Sequence, residues 1–360
     1  MGKRILITAG GTGGHIFPAQ GLAQQLSDHD VLFVAGGLGT NRYFDRTLFS
    51  FKEIACRPLS KPKGWLALVK GVWQSLKIIR AYQPDVVVGF GSYYTVATLL
   101  AAKLARVPVV LHEANSIPGK ANKWFAPYVQ AVGVHFPLTK TLLKGQVVEV
   151  GMPLRAGYQR VSVSREEALA YFQLDDQVST MLVFGGSQGA KSINQWMQAW
   201  LKEENSWQGQ CIHLTGDESI VPALQEQYRL KGIKACVKPF EKQMSLAWRA
   251  ADFFLGRSGA STIAEAVEFE VPGILIPYPF ATDNHQEKNA DFLTSTVKGA
   301  IKILERNLNS KTLSEAIQSM MDSDRRRQKS QSIRAYKERQ GRQDLCQLVL
   351  SIAEQSSKSL

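Results

Sequence analysis

Four glycine-rich segments have the composition to cradle a phosphate: Gly10-Gly-Thr-Gly-Gly14, Gly89-Phe-Gly91, Gly185-Gly-Ser-Gln-Gly189 and Gly256-Arg-Ser-Gly-Ala260. Each follows a short apolar run and precedes a helical pattern. Such a turn presents unpaired backbone N–H groups at a helix N-terminus, where the macrodipole also favours negative charge. One loop alone reads equally well as a tight turn; four at expected strand ends point to phosphorylated ligands. None is a dinucleotide fingerprint, because Gly11 and Gly13 are followed by Ile16, Gly89 and Gly91 by Tyr94, and the second strand runs into Gly36 instead of an acidic residue. A dehydrogenase is therefore disfavoured. The stretch from Gly185 to Ser192 narrowly misses the P-loop pattern, with Ala190 where its second glycine belongs and no strand ending in Asp to accompany it. A P-loop-like nucleotide-binding protein stays as an alternative reading. The D-x-D at Asp322-Ser-Asp324 reads as a solvated charge cluster before Arg325-Arg-Arg327. A bound diphosphate would then be balanced by helix N-termini and cations such as Arg155, with no metal and no cofactor expected.

The elements that must position these loops form an alternating pattern. Apolar runs at Arg4–Thr8, Val31–Ala35, Asp85–Gly89, Val107–His112 and Val147–Val150 are separated by amphipathic segments, which implies a parallel sheet covered by helices. The pattern restarts at Ser179–Phe184 and continues at Gln210–Leu214, Ala235–Lys238, Phe253–Leu255, Gly273–Ile276 and Ala300–Ile303. The link between the halves falls near Gly151-Met-Pro-Leu-Arg155, before a polar helix starting around Ser164. The length of 360 residues fits two domains. Cys56, Cys211, Cys236 and Cys346 have neither disulfide-framework nor metal-ligand spacing. The N-terminal apolar run is too short for a signal peptide, Leu6 stands where myristoylation requires Ser or Thr, and no segment is expected to cross a membrane. The formal charge of +12 admits nucleic acid, an anionic membrane or a phosphorylated substrate as partner. The basic run Arg325-Arg-Arg327 has no aromatic neighbours, which speaks against nucleic acid.

Six segments in register carry a family resemblance: Gly10–Ala19, His112-Glu-Ala-Asn-Ser-Ile-Pro-Gly-Lys-Ala-Asn122, Gly151–Arg155, Gly185–Ala190, Arg257-Ser-Gly-Ala-Ser-Thr-Ile-Ala-Glu265 and Asp283-Asn-His-Gln-Glu-Lys-Asn-Ala290. Together they resemble the MurG family of peptidoglycan N-acetylglucosaminyltransferases, of glycosyltransferase family 28 type. The resemblance implies an α/β GT-B fold, two Rossmann-like domains with parallel sheets facing a central cleft. It implies an acceptor- and membrane-binding domain at 1–153, onto which a C-terminal helix at about 338–360 packs back, and a UDP-GlcNAc-binding domain at 154–337. The implied reaction is inverting, metal-independent transfer of GlcNAc from UDP-GlcNAc to the MurNAc C4 hydroxyl of lipid I, giving lipid II and UDP. A diacylglycerol-type lipid glycosyltransferase of the same fold is the nearest rival, and the H-E-x-N and D-N-H-Q-x-x-N-A segments speak against it.

Carried over residue by residue, the resemblance places Arg155 and Ser187 at the donor nucleotide and diphosphate, and the backbone of Phe240 and Glu241 near the uracil. It places Gly259, Ala260, Ser261 and Thr262 at the diphosphate, Glu265 at the ribose hydroxyls, and Gln286 and Asn289 at the GlcNAc hydroxyls. Thr12, Gly13, Gly14, Gly91, Ser92, Tyr93, Asn115 and Asn122 fall to the acceptor. The C4 hydroxyl needs a base. His15 is the first choice, since a helix N-terminus favours its neutral form at pH 7, and Glu113 is the alternative. The chain departs from the family pattern at Met152 for Asn, Ala114 for Gln and Ser92 for Gly.

A lipid acceptor implies a peripheral protein on the cytoplasmic face of the bacterial plasma membrane, with cell-wall synthesis proteins as further partners. Trp65, Leu66, Val69 and Trp73, flanked by Lys70 and Lys77, have the spacing of an interfacial helix. The same periodicity also fits an ordinary helix packed on the sheet, with one part of its arc buried.

Overall fold

The computed structural model describes residues 2–186, 191–203, 207–339 and 343–357. The chain forms two compact units, Met1–Ala156 with Arg342–Leu360, and Gly157–Gly341.

The first unit holds seven parallel strands, β1 (Arg4–Thr8), β2 (Asp30–Ala35), β3 (Phe51–Glu53), β4 (Val86–Gly89), β5 (Val109–Glu113), β6 (Ala131–Val134) and β7 (Val147–Glu149), in the order β3-β2-β1-β4-β5-β6-β7. Its helices are α1 (Gly13–Gln25), α2 (Gly64–Tyr82), α3 (Val96–Leu104), α4 (Lys120–Phe125) and α5 (Pro137–Leu142), joined by the chain's last helix, Leu345–Ser357. The strands are apolar throughout because helices cover both faces. Ile5, Ile7, Val86, Val88 and Val110 pack with Ile16, Ala19 and Leu22 of α1 and with Leu345, Val349 and Ile352 of the last helix. Leu6, Val87, Val109 and Leu111 point the other way, toward Ile79 of α2, Leu99 of α3 and Phe125 of α4.

The second unit repeats the architecture with six parallel strands, β8 (Thr180–Phe184), β9 (Gln210–Leu214), β10 (Ala235–Lys238), β11 (Phe253–Gly256), β12 (Gly273–Leu275) and β13 (Ala300–Lys302), ordered β10-β9-β8-β11-β12-β13. Its helices are α6 (Arg165–Phe172), α7 (Lys191–Glu203), α8 (Val221–Leu230), α9 (Met244–Ala250), α10 (Ala260–Phe269), α11 (His285–Asp291), α12 (Ser310–Met321) and α13 (Ser323–Arg339). Strand order reverses beside β1 in one sheet and beside β8 in the other. Beyond the strands expected from the sequence, the first sheet gains two, β3 and β6.

A buried polar chain crosses the second unit. The Cys211 thiol and Tyr228 hydroxyl lie 3.3 Å apart, His213 Nδ1 is 3.0 Å from that hydroxyl, His213 Nε2 is 3.0 Å from Asn194 Oδ1, and Asn194 donates to the Thr215 carbonyl at 2.9 Å. An amide oxygen can only accept, so His213 is protonated on Nε2 and accepts at Nδ1. Burial pushes the His213 imidazole down to about 3, so it is neutral throughout the working range. An unfolded chain takes up the proton near 6.5, and the folded chain does not. Stability is therefore complete above that pH and declines as pH falls toward 3, by up to about 1.4 kcal/mol per pH unit. Replacing His213→Gln, which donates to Asn194 without titrating, is expected to flatten the fall in unfolding midpoint between about pH 6.5 and 4. A fall as steep as the parent's would contradict this reading.

Candidate active site

In the first unit the glycine loop leaves β1 and opens α1 without a side-chain cap. The N–H groups of His15 and Ile16 turn back onto the Thr12 carbonyl, at 3.1 and 3.2 Å, while those of Gly13 and Gly14 precede any carbonyl they could reach within the helix. The loop is held from two sides. Gly10 lies so near Tyr94 that a Cβ would come within 2.5 Å of the Tyr94 Cβ, and Asn41 donates its amide to the Gly11 carbonyl at 2.8 Å. His15 is in the first turn of α1, half-buried, with Nδ1 2.8 Å from the carbonyl oxygen of Phe90, just beyond β4. A carbonyl only accepts, so Nδ1 carries the proton, and in the neutral ring Nε2 is the basic nitrogen. The reversal of strand order thus brings the β1 and β4 loops together at His15.

Glu113 ends β5 and is buried. Its carboxylate accepts from the backbone N–H groups of Asn115 and Gly119, at 3.0 and 2.9 Å, and from the Asn122 amide at 2.9 Å. Asn122 also donates to the His112 carbonyl at 3.0 Å, while its own Oδ1 is buried without a partner. A Cβ on Gly91 would touch this amide at 3.3 Å. Burial and the neighbouring His15 push the His112 imidazole down to about 3. Ser92 has φ 72° and ψ 156°, a region that strains any side-chain-bearing residue. Tyr93 stacks on Tyr94 with centroids 4.1 Å apart. Arg155 belongs to this unit, its guanidinium 4.4 Å from the centre of the Phe17 ring on α1.

In the second unit β11 leads through Arg257, Ser258 and Gly259 into α10, which also lacks a side-chain cap. The Ser261 hydroxyl at that N-terminus is buried without a hydrogen-bond partner, while Ala260 and Thr262 are buried in the same turn. The Ser258 hydroxyl donates to the Gln286 carbonyl at 2.7 Å and Asn289 donates to the Ser258 carbonyl at 3.1 Å, which ties α11 to the loop. The side-chain oxygen of Gln286 accepts from the Tyr278 N–H at 3.0 Å. Glu265 is oriented by Trp248, whose indole donates to Oε2 at 2.6 Å. Phe240 is exposed beyond β10, and the buried Glu241 carboxylate binds Lys238 at 2.8 Å and the Gln243 N–H at 2.8 Å. Burial alone would raise its pKa, but Lys238, the Gln243 N–H and Tyr171 outweigh it and hold Glu241 below the ordinary carboxylate value. Ser187 lies outside the described residues. Arg257 was not singled out by sequence. Its signal, a cation directly after a buried strand, only became interpretable with its partners.

Helix α2 buries Gly71, Ser75 and Ile79 on one arc, where a Cβ on Gly71 would lie 2.4 Å from the Ala55 carbonyl oxygen. The opposite arc leaves Trp65 at 68%, Leu66 at 68%, Val69 at 67% and Trp73 at 57% exposure, beside exposed Lys70 and Lys77. Lys77 Nζ sits 3.5 Å above the Trp73 ring. Trp124 and Tyr128, exposed at and just after α4 on the same face of the sheet, are further aromatic groups that the sequence pattern did not single out. Among the described residues no helix is long and apolar enough to cross a membrane, and no three His, Cys, Asp or Glu are grouped to hold a metal ion.

The sequence profile of the glycosyltransferase family 28 N-terminal domain matches residues 5–134, and that of the family's C-terminal domain matches residues 180–349. A relative from Protochlamydia amoebophila is 56% identical, over 99% of this chain and 98% of its own, and is named UDP-N-acetylglucosamine--N-acetylmuramyl-(pentapeptide) pyrophosphoryl-undecaprenol N-acetylglucosamine transferase. A protein of the same name from Chlamydia pneumoniae is 34% identical over 93% of this chain and 94% of its own. The crystal structure of Acinetobacter baumannii MurG superposes with a TM-score of 0.77 at 25% identity, covering 99% of both chains. The Phytolacca americana glycosyltransferase UGT2 shares the fold at a TM-score of 0.71 and 14% identity, with 99% of both chains covered. The two doubly wound sheets are those of a GT-B fold.

The backbone at Ser92 generates a stability prediction. Ser92→Gly removes strain of about 1–3 kcal/mol, partly offset by the freer unfolded chain. A net gain of about 1 kcal/mol in denaturant unfolding is expected, and a loss of stability would contradict the strain assigned here.

Proposed function

The chain belongs to glycosyltransferase family 28, and on that premise we propose that it transfers GlcNAc from UDP-GlcNAc to the MurNAc C4 hydroxyl of lipid I, giving lipid II and UDP in peptidoglycan synthesis. The observation that carries the mechanism is the bond from His15 Nδ1 to the Phe90 carbonyl. It leaves Nε2 of the neutral ring to take the C4 hydroxyl proton as that oxygen attacks the anomeric carbon, while the bond from that carbon to the UDP oxygen breaks with inversion. Thr12, Gly13 and Gly14 at the start of α1 are assigned to the acceptor diphosphate, with Gly91, Ser92, Tyr93 and Asn115 nearby in the same unit. Glu113, the alternative base, is committed to three donors. We assign it to holding the 114–119 loop and Asn122 instead.

Negative charge grows on the departing UDP. The N–H groups opening α10 and the Ser261 hydroxyl are assigned to it, so helix N-termini do what a bound cation does elsewhere. Arg155 keeps its assignment as a diphosphate counter-charge. Glu265, oriented by Trp248, suits the ribose hydroxyls, and the backbone at Phe240 and Glu241 suits the uracil. The side-chain amides of Gln286 and Asn289 hydrogen-bond to backbone groups of Tyr278 and Ser258, so their contribution to GlcNAc binding includes holding the loops beside the sugar. The exposed arc of α2 is assigned to the anionic cytoplasmic face of the plasma membrane, where its tryptophans enter the interface and its lysines meet headgroups. Cell-wall synthesis proteins are the further partners this location implies.

The test is incubation of the purified chain with labelled UDP-GlcNAc and a lipid I analogue, with and without EDTA. A lipid-linked disaccharide is expected in both cases. No product would contradict the function, and loss of product with EDTA the metal-free mechanism. His15→Ala is expected to lower kcat by about 100-fold or more with UDP affinity kept; unchanged kcat would remove His15 from the base role. Replacing Trp65 and Trp73 by Ser is expected to reduce partition onto anionic vesicles, and unaltered partition would leave α2 without a membrane role.

A further inference from the structure

Arg257 is 7% exposed, yet its guanidinium holds four partners. Nη1 donates to the carbonyls of Ile276 and Pro277 just beyond β12, at 3.1 and 3.2 Å, and to Glu305 at 2.7 Å. Nη2 reaches the Ser192 hydroxyl in the first turn of α7 at 2.7 Å. Four junctions at the carboxyl edge of the second sheet, after β8, β11, β12 and β13, therefore meet on one side chain. The same first turn of α7 is tied to the edge of β9 by Asn194, through the Thr215 carbonyl and His213. A buried Arg–Glu pair contributes little net stability, because desolvation offsets its attraction. What this geometry does supply is position: the planar fork fixes α7 relative to the loop that opens α10, and a lysine cannot make the same set of bonds.

We propose that Arg257 is a positioning residue for donor binding, acting through Ser192 to set the first turn of α7 against the N-terminus of α10. This rests on the reading of the second unit as the donor-binding one. Neither side chain has to touch the donor for the effect. An anion bound by backbone N–H groups needs those groups at fixed distances, and small displacements cost affinity steeply.

The experiment measures UDP binding by calorimetry, together with KM for UDP-GlcNAc and for a lipid I analogue. Ser192→Ala is expected to weaken UDP and raise the donor KM by about tenfold, leaving kcat and the acceptor KM within about twofold. Ser192→Thr, which keeps the hydroxyl, is expected to restore binding. Arg257→Lys is expected to match Ser192→Ala, and the double variant to be no worse than either single one. Asn309→Ala, which removes the capping box of α12, provides a loss of stability elsewhere in the unit and is expected to leave UDP affinity unchanged. UDP affinity of Ser192→Ala within about twofold of the parent, or equal weakening by Asn309→Ala, would overturn the proposal. Failure of the parent to bind UDP would overturn the donor reading and this inference with it.

Discussion

In each sheet all strands run parallel, so every connection from strand to helix emerges at the same edge. Where strand order reverses, beside β1 and beside β8, neighbouring loops diverge to opposite faces and leave room for a ligand outside the strand ends. The first unit places the β1 glycine loop and the β4 loop at its reversal, and the hydrogen bond from His15 to Phe90 spans the two. The second places the start of α7 and the β11 loop at its own, bridged by Arg257 and Ser192. The chemistry assigned to either unit depends on that shared edge.

The groups that set the edge are mostly not the groups assigned to ligands. Glu113 gathers three donors so that the loop after β5 has one conformation. Trp248 aims Glu265, Ser258 and Asn289 fasten α11, and Tyr94 admits only glycine at position 10. Rigidity behind the site matters here because helix N-termini act through fixed N–H groups that cannot follow a moving ligand.

Much of this was legible in the sequence, and the gaps have physical causes. Strands buried on both faces, such as Thr180–Phe184, read as unbroken apolar runs and fall within a residue or two of the expected positions. The strand Phe51–Glu53 is short and largely open to solvent at the sheet edge, so it carries no such run. The strand Ala131–Val134 is interrupted by Gly133, whose missing side chain makes room for Val150 and Leu345. Glycine loops announce phosphate sites because backbone conformation restricts residue type. His15 is held by a backbone carbonyl, and the partners of Arg257 come from three separate stretches of chain, so neither leaves a local pattern. The amphipathic period of α2 was evident, but only the packed structure decides which arc faces the sheet.

The proposed proton transfer depends on the protonation of one ring, because a base at His15 requires Nδ1–H toward Phe90 and a basic Nε2. Nitrogen NMR of the chain labelled at histidine, with the His15→Gln variant used to assign the signal, reads that directly. The neutral His15 ring is expected to show a protonated Nδ1 and an unprotonated Nε2. A neutral ring protonated on Nε2 would contradict it.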